Sequence, residues 1–180
     1  MIKQIWTIGH STRSIDEFIA ALEANEIKLV VDVRLLPGSK RYPHFNKEAL
    51  ADSLGKNAIC YEHFPELGGR RKPKPESHNS AWRNEAFRGY ADHMETKEFQ
   101  NGIERLLQLS LDVGPVAIMC AEAVWWRCHR ALISDFLKVQ GVQVLHIFDA
   151  KKTETHPFTS AARIISGELT YNDAVQTDLL

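Results

Sequence analysis

Residues 116–130 read VAIMCAEAVWWRCHR, and the rest of the chain is best understood from this stretch. Residues 116–119 are a short apolar run, bounded by Gly114-Pro115 and closed by Cys120. That is the pattern of a strand buried on both faces of a parallel sheet. Ala121, Glu122 and the pair Trp125-Trp126 come next, then Arg127, Cys128, His129 and Arg130. Beyond them Ala131, Leu132, Ile133, Phe136 and Leu137 recur at helical spacing. The chemically active residue types therefore fall between a strand and a helix. In open α/β sheets the crevice outside the carboxyl ends of the strands is where ligands bind.

Outward from this stretch the chain keeps alternating. Residues 4–8, QIWTI, read as a first strand, followed by a Gly9-His10-Ser11-Thr12 loop. Ser14 caps a helix with Asp16 and Glu17 in its first turn and with Ile15, Phe18, Ile19 and Leu22 on one face. Residues 29–31 form a second strand that ends in Asp32-Val33-Arg34 before Pro37-Gly38. Asn46 is placed to cap a second helix carrying Ala49, Leu50 and Leu54, and residues 58–64 read as a third strand. Residues 65–84 lack periodicity and carry Gly68-Gly69, Pro73, Pro75 and the basic group Arg70, Arg71, Lys72 and Lys74, so they read as a long loop. Two helices are expected next, over 86–94 and from a Thr96 cap with Phe99, Ile103, Leu106 and Leu107 inward. Gly141 ends the helix after Arg130, residues 142–148 are the last strand, and 149–180 read as a polar tail with one or two short helices. The fold expected is a single three-layer α/β domain over 1–180, with a mostly parallel sheet of about five strands covered by helices on both faces.

Composition narrows the function. Hydrophobic residues at 44% and charged ones at 25% are globular values, and 180 residues suit one domain. A net charge of −1 does not call for nucleic acid or an anionic membrane. No apolar run approaches the roughly 20 residues that span a bilayer. Three cysteines and a start, MIKQIWTIGH, without a signal-peptide core point to a reducing cytoplasm.

Three segments carry a resemblance: TIGHSTRS at 7–14, VVDVR at 30–34 and CAEAVWWRCHR at 120–130. With PELGG at 65–69 and HPFTSAAR at 156–163, the chain resembles the family catalogued as domain of unknown function 488 (DUF488) over nearly its whole length. The resemblance implies an α/β, Rossmann-like domain and brings no reaction with it. A strand ending in Asp-Val-Arg and a later one ending in Cys are also similar to the rhodanese and cysteine-phosphatase arrangement. Here six residues separate Cys120 from Arg127, one more than the phosphatase loop has, and Glu122 would stand inside the anion cradle. Both departures argue against sulfur transfer or phosphate-ester hydrolysis.

The residues must therefore be argued from their chemistry. Cys120 ends a strand near a helix N-terminus, which activates a thiol, or it is a small hydrophobe closing that strand. Cys128 is expected on the apolar face of the following helix and Cys60 inside a strand, both structural. Glu122, beside two tryptophans, suits a general acid or base, a ribose contact or a partner for Arg34 or Arg130. His129 is a candidate proton carrier. Arg130 and Arg34 can fork onto an anion, or pair internally with Asp32 or Glu122. Gly9, His10 and Ser11 offer close backbone approach and donors, Trp126 a stacking face, and Arg41 with the 70–74 loop a basic cover over the crevice. Cys-x7-Cys-His is not a zinc spacing, so neither metal nor cofactor is expected.

Two functions are compatible with this pattern. In the first, the chain is an enzyme acting on an anionic, phosphate-bearing or nucleotide-like small molecule, a hydrolase or transferase. In it Arg34 and Arg130 hold the anion, Glu122 or His129 moves a proton, and Cys120 is nucleophile or wall. In the second, it is a non-catalytic nucleotide or nucleic-acid binding module using the basic loop and the tryptophans. Thiol, carboxylate and imidazole in one short stretch favour the first.

Overall fold

The central strands are buried at successive positions, because side chains alternate between two sheet faces and helices cover both. The computed structural model describes residues 4–174. Five strands run parallel: β1 (Gln4–Gly9), β2 (Leu29–Asp32), β3 (Cys60–His63), β4 (Val116–Cys120) and β5 (Gln143–Ile147). A short β6 (Thr153–Thr155) adds antiparallel to β5, giving the order β3-β2-β4-β1-β5-β6. β1 lies inside the sheet, with Trp6 opposite Ala117 on one side and Leu145 on the other.

Five helices of the described residues cover the two faces. On one, α1 (Ile15–Ala24) and α2 (Lys47–Gly55) bring Phe18, Leu22, Leu50 and Leu54 onto Ile8, Val30, Ala117 and Met119. On the other, α3 (Glu85–Met94), α4 (Lys97–Asp112) and α5 (Arg130–Val139) bring Tyr90, Phe99, Ile103 and Leu132 onto Ile5, Val31, Val116 and Ile118. The chain steps one way along the sheet from β1 to β3 and the other way from β3 to β5. Right-handed crossovers then send the two sets of helices to opposite faces. The result is the three-layer α/β domain that the alternation implies.

The helix starts match their caps. Ser14 accepts from the Glu17 N–H while the Glu17 carboxylate accepts from the Ser14 N–H, a reciprocal capping box. Thr96 accepts from the Phe99 N–H at the start of α4. Asn46 stands at the start of α2, but its side chain accepts instead from the Ser39 N–H at 2.6 Å and ties down the loop after β2. Among the described residues no helix is long and apolar enough to cross a membrane.

The segment after β5 departs from expectation. Instead of short helices, residues 149–174 form β6 and a hairpin of β7 (Arg163–Ile165) and β8 (Glu168–Thr170); residues 175–180 of the expected tail lie outside the described residues. Asp149 turns the chain by accepting from the Lys151 and Lys152 N–H groups at 2.7 and 2.9 Å. Asp135 of α5 then anchors residues 156–171 to the domain. Its carboxylate accepts from His156 Nε2 (2.9 Å), the Thr159 N–H (2.9 Å), the Thr159 hydroxyl (2.5 Å) and the Tyr171 hydroxyl (2.9 Å).

Asp135 is fully buried, so its removal orphans several buried donors at once. Asp135→Ala is expected to lower unfolding free energy by at least about 3 kcal/mol. In urea titrations read with hydrogen exchange, amides of 153–171 should lose protection before those of β1 and β4.

Candidate functional site

The carboxyl ends of β1, β2 and β4 finish side by side. Gly9 lies opposite Cys120 and Asp32 opposite Met119. The ladder runs on into the loops, with His10 N–H donating to the Cys120 carbonyl at 2.9 Å and Val33 N–H to the Met119 carbonyl at 2.9 Å. A cavity of about 800 Å³ opens above them. The loop after β1 contributes His10 and Ser11, the loop after β2 Arg34 and Arg41, and the long 65–84 loop Gly69 and Arg70. Its floor is formed by Cys120, Cys128 and His129.

The two sulfurs are in contact, 2.8 Å apart, and both cysteines are buried and unbridged. Cys128 is not on the apolar face of α5, as its sequence position suggests. A short 3-10 turn at Trp125–Arg127 delays the helix until Arg130, so Cys128 precedes it and faces the cavity. Its Sγ lies 3.4 Å from the Arg130 backbone N–H and 3.5 Å from His129 Nδ1. His129 Nε2 donates to the Val33 carbonyl at 3.0 Å, which leaves Nδ1 as an acceptor turned toward Cys128. Gly69 makes room for this ring, since a Cβ there would lie 2.9 Å from Nδ1.

Burial alone would raise both thiols. For Cys128 the hydrogen bond from Cys120 and the charge and N–H groups of Arg130 outweigh it and bring the pKa down to about 7. For Cys120 burial prevails, and the hydrogen bond to and charge on Cys128 push it further up. Of the pair, Cys128 is therefore the thiol that ionises first, with Cys120 as the S–H donor to it. Burial also lowers His129, keeping its imidazole neutral with Nδ1 free to accept a hydrogen bond.

Arg130 organises the layer beneath. Its Nε donates to Cys120 Sγ at 3.0 Å, one Nη to the Thr7 hydroxyl at 3.1 Å and the other to the Glu122 carbonyl at 2.7 Å. From Thr7 the chain of contacts continues inward: Thr7 Oγ1 to His146 Nδ1 (2.7 Å), His146 Nε2 to His156 Nδ1 (2.9 Å), His156 Nε2 to Asp135 (2.9 Å). Arginine can only donate and an ionised carboxylate only accept, so one direction satisfies every group: Arg130 to Thr7 to His146 to His156 to Asp135. Trp125 stacks flat on His146, with ring centroids 4.6 Å apart. Sequence reading missed this relay, although one signal existed. Alternation places Thr7 on the buried face with Ile5, and His146 on the same face beside Val144, where apolar residues belong.

The remaining candidates sort clearly. Arg34 is committed to Asp32 through Nε (2.9 Å) and Nη2 (2.6 Å) and to the Phe45 carbonyl (2.8 Å), with Tyr61 also on Asp32. It forms the internal pair with Asp32 and also borders the cavity, where its Nη1 lies 3.4 Å from His10 Nε2. His10 stacks on Phe45, its Nδ1 donates to the Ser11 carbonyl, and burial lowers its pKa to about 4. Glu122 contributes its carbonyl to Arg130, while its carboxylate is exposed at the rim. Gly9 is required by the same packing, because a Cβ there would lie 1.8 Å from the Glu122 carbonyl oxygen. Trp126 is 51% exposed and does not line the cavity. Arg41 and Arg70 do, together with Arg127; Arg71 turns away to Glu98 and the Gly68 carbonyl. Cys60 lies exposed on the outer strand β3. No group of three or more His, Cys, Asp or Glu among the described residues is arranged to hold a metal ion.

Compared with known families, residues 14–137 match the model described as domain of unknown function DUF488, more than two thirds of the chain. No curated protein and no solved structure matches it.

The lowered histidines have a consequence for acid stability. His10 at about 4 and His146 at about 2 both lie below the usual 6.5, so the unfolded chain binds their protons first. Their contribution is fully present above pH 6.5, falls as pH drops toward 4 for His10, and continues to fall toward 2 for His146. Each steepens the loss by up to about 1.4 kcal/mol per pH unit. In urea titrations between pH 7 and 4, His10→Phe is expected to flatten the slope; an unchanged slope refutes the assignment.

Proposed function

The chain belongs to the DUF488 family, and we propose that it is a thiol enzyme acting on an anionic, phosphate-bearing or nucleotide-like small molecule. In this reading Cys128 is the nucleophile and His129 Nδ1 accepts its proton. Arg130 stabilises the thiolate from below, and Arg41, Arg70 and Arg127 draw the anion into the cavity. The observation that carries the reading is the position of Cys128 Sγ, between Cys120 Sγ (2.8 Å), the Arg130 N–H (3.4 Å) and His129 Nδ1 (3.5 Å) on the cavity floor. A nucleophile, a base beside it and a third group orienting the base, here the Val33 carbonyl, are the parts covalent catalysis uses.

Size and charge support the ligand class. A cavity of about 800 Å³ suits a nucleotide-sized molecule. Arginine ion pairs involve Arg34, Arg71, Arg88, Arg105 and Arg163. Arg41, Arg70 and Arg127 at the cavity have no carboxylate partner among the described residues. Arg34 and Asp32 cancel each other, and the neutral His10 adds no charge. The surplus at the opening is positive, offset only by the rim carboxylate of Glu122.

Site-resolved alkylation tests this with the exposed Cys60 as internal reference. Cys128 should react with an apparent pKa of about 7 while Cys120 stays protected. Relative to Cys60, negatively charged iodoacetate should be favoured over neutral iodoacetamide by about three- to tenfold, and millimolar phosphate or AMP should slow Cys128 alone. Arg41→Ala with Arg70→Ala should abolish that preference. Slow labelling of Cys128, indifferent to pH and to anions, would sink the proposal.

A further inference from the structure

A single activated thiol has no need of a second sulfur 2.8 Å away, yet Cys120 occupies that position and lines the same cavity. We infer that Cys120 and Cys128 form a two-thiol redox centre, in which Cys128 attacks an oxidant and Cys120 resolves the product as an intramolecular disulfide. The inference rests on Cys128 being the nucleophile.

Three features support it. The sulfur separation exceeds a disulfide bond of about 2.05 Å by less than an ångström. Cys120 ends β4 and Cys128 precedes α5, so neither sulfur is held within a helix and the residues between them form a loop with one short 3-10 turn. Arg130 touches both sulfurs, through Nε on Cys120 and its backbone N–H on Cys128. One cation favours one thiolate at a time. While Cys128 is charged, it holds the proton on Cys120. Once Cys128 carries a neutral adduct, that charge is gone and Arg130 remains 3.0 Å from Cys120 Sγ, so the second thiolate forms when it is needed.

The steps balance with a hydroperoxide as oxidant. The Cys128 thiolate attacks the terminal oxygen, the O–O bond breaks, and the alcohol or water leaves with the proton that Cys128 had given to His129, yielding a sulfenic acid. Cys120 sulfur then attacks Cys128 sulfur and the S–O bond breaks. The hydroxide leaves as water with the Cys120 proton, and the S–S bond forms. The two cysteines have lost two electrons, which reduced the peroxide. A small thiol opens the disulfide to a mixed disulfide, and a second attacks that bond, releasing the small-thiol disulfide and restoring the dithiol.

The sequence makes the test direct. Trypsin cleaves after Arg127 and Arg130, so the disulfide would link the peptide ending in Arg127 to the tripeptide Cys128-His129-Arg130. The full chain, treated with stoichiometric hydrogen peroxide and quenched with iodoacetamide, should yield the linked peptide, and reduced glutathione should remove it. In Cys120→Ser and Cys120→Ala, the linked peptide disappears and Cys128 proceeds to sulfinic acid about tenfold faster. Absence of the linked peptide from the unsubstituted protein, while Cys128 still alkylates with a pKa of about 7, would overturn the inference and leave the thiol-enzyme reading standing. Cys128 linked to Cys60 instead would also overturn it. Failure of Cys128 to alkylate at all would remove both.

Discussion

Arg130 is 1% exposed, and a cation withdrawn that far from water needs hydrogen-bond acceptors and negative charge nearby. Much of the site results from meeting that need. Gly9 lacks the Cβ that would displace the Glu122 carbonyl, Thr7 places a hydroxyl on an otherwise apolar strand face, and Cys120 turns its sulfur toward Nε. These contacts tie β1, the loop after β4 and the start of α5 together. The electrostatic benefit runs both ways. The sulfurs favour the charged form of Arg130 despite its burial, and Arg130 favours a thiolate where apolar surroundings alone would forbid one.

A second buried arginine behaves differently. Arg34 lies against Asp32, which also receives the Tyr61 hydroxyl, so that pair is neutral in sum and fixes the loop after β2 through the Phe45 carbonyl. Ionic groups at the site thus divide by depth. Arg130 and Arg34 are buried and held by the protein's own groups, whereas Arg41, Arg70 and Arg127 are exposed and line the cavity. Breaking a buried pair leaves an uncompensated charge, while exposed arginines can exchange water for a ligand at small cost.

Features with a strong local period or cap could be read in the chain itself. The parallel strands, the caps at Ser14 and Thr96 and the convergence of Gly9, Arg34 and Cys120 at the carboxyl end of the sheet belong to that class. Cys128 was harder, because the apolar spacing that begins at Ala131 extends backward without showing that a 3-10 turn separates it from the loop. The Glu122 contact to Arg130 was not legible either, because it is made by the main-chain carbonyl, which has no sequence signature. The relay to Asp135 joins residues from β1, β5, α5 and the segment after β5, so only the folded chain brings them together. The strands beyond β5 are three residues long and largely polar, too short for alternation to register.

β1 is synthesised well before both of its neighbours, since Trp6 pairs with Ala117 and Leu145. At synthesis rates of about 5–20 residues per second, it waits on the order of ten seconds with both backbone edges unpaired. Ile5 and Ile8 stay uncovered over the same interval, because the sheet faces they join are incomplete. β2 and β3 can pair earlier, as they adjoin in both sequence and space. The nascent domain therefore carries an aggregation-prone strand until β4 emerges, and protection of that strand by a chaperone would matter more here than in a fold whose first strand lies at an edge.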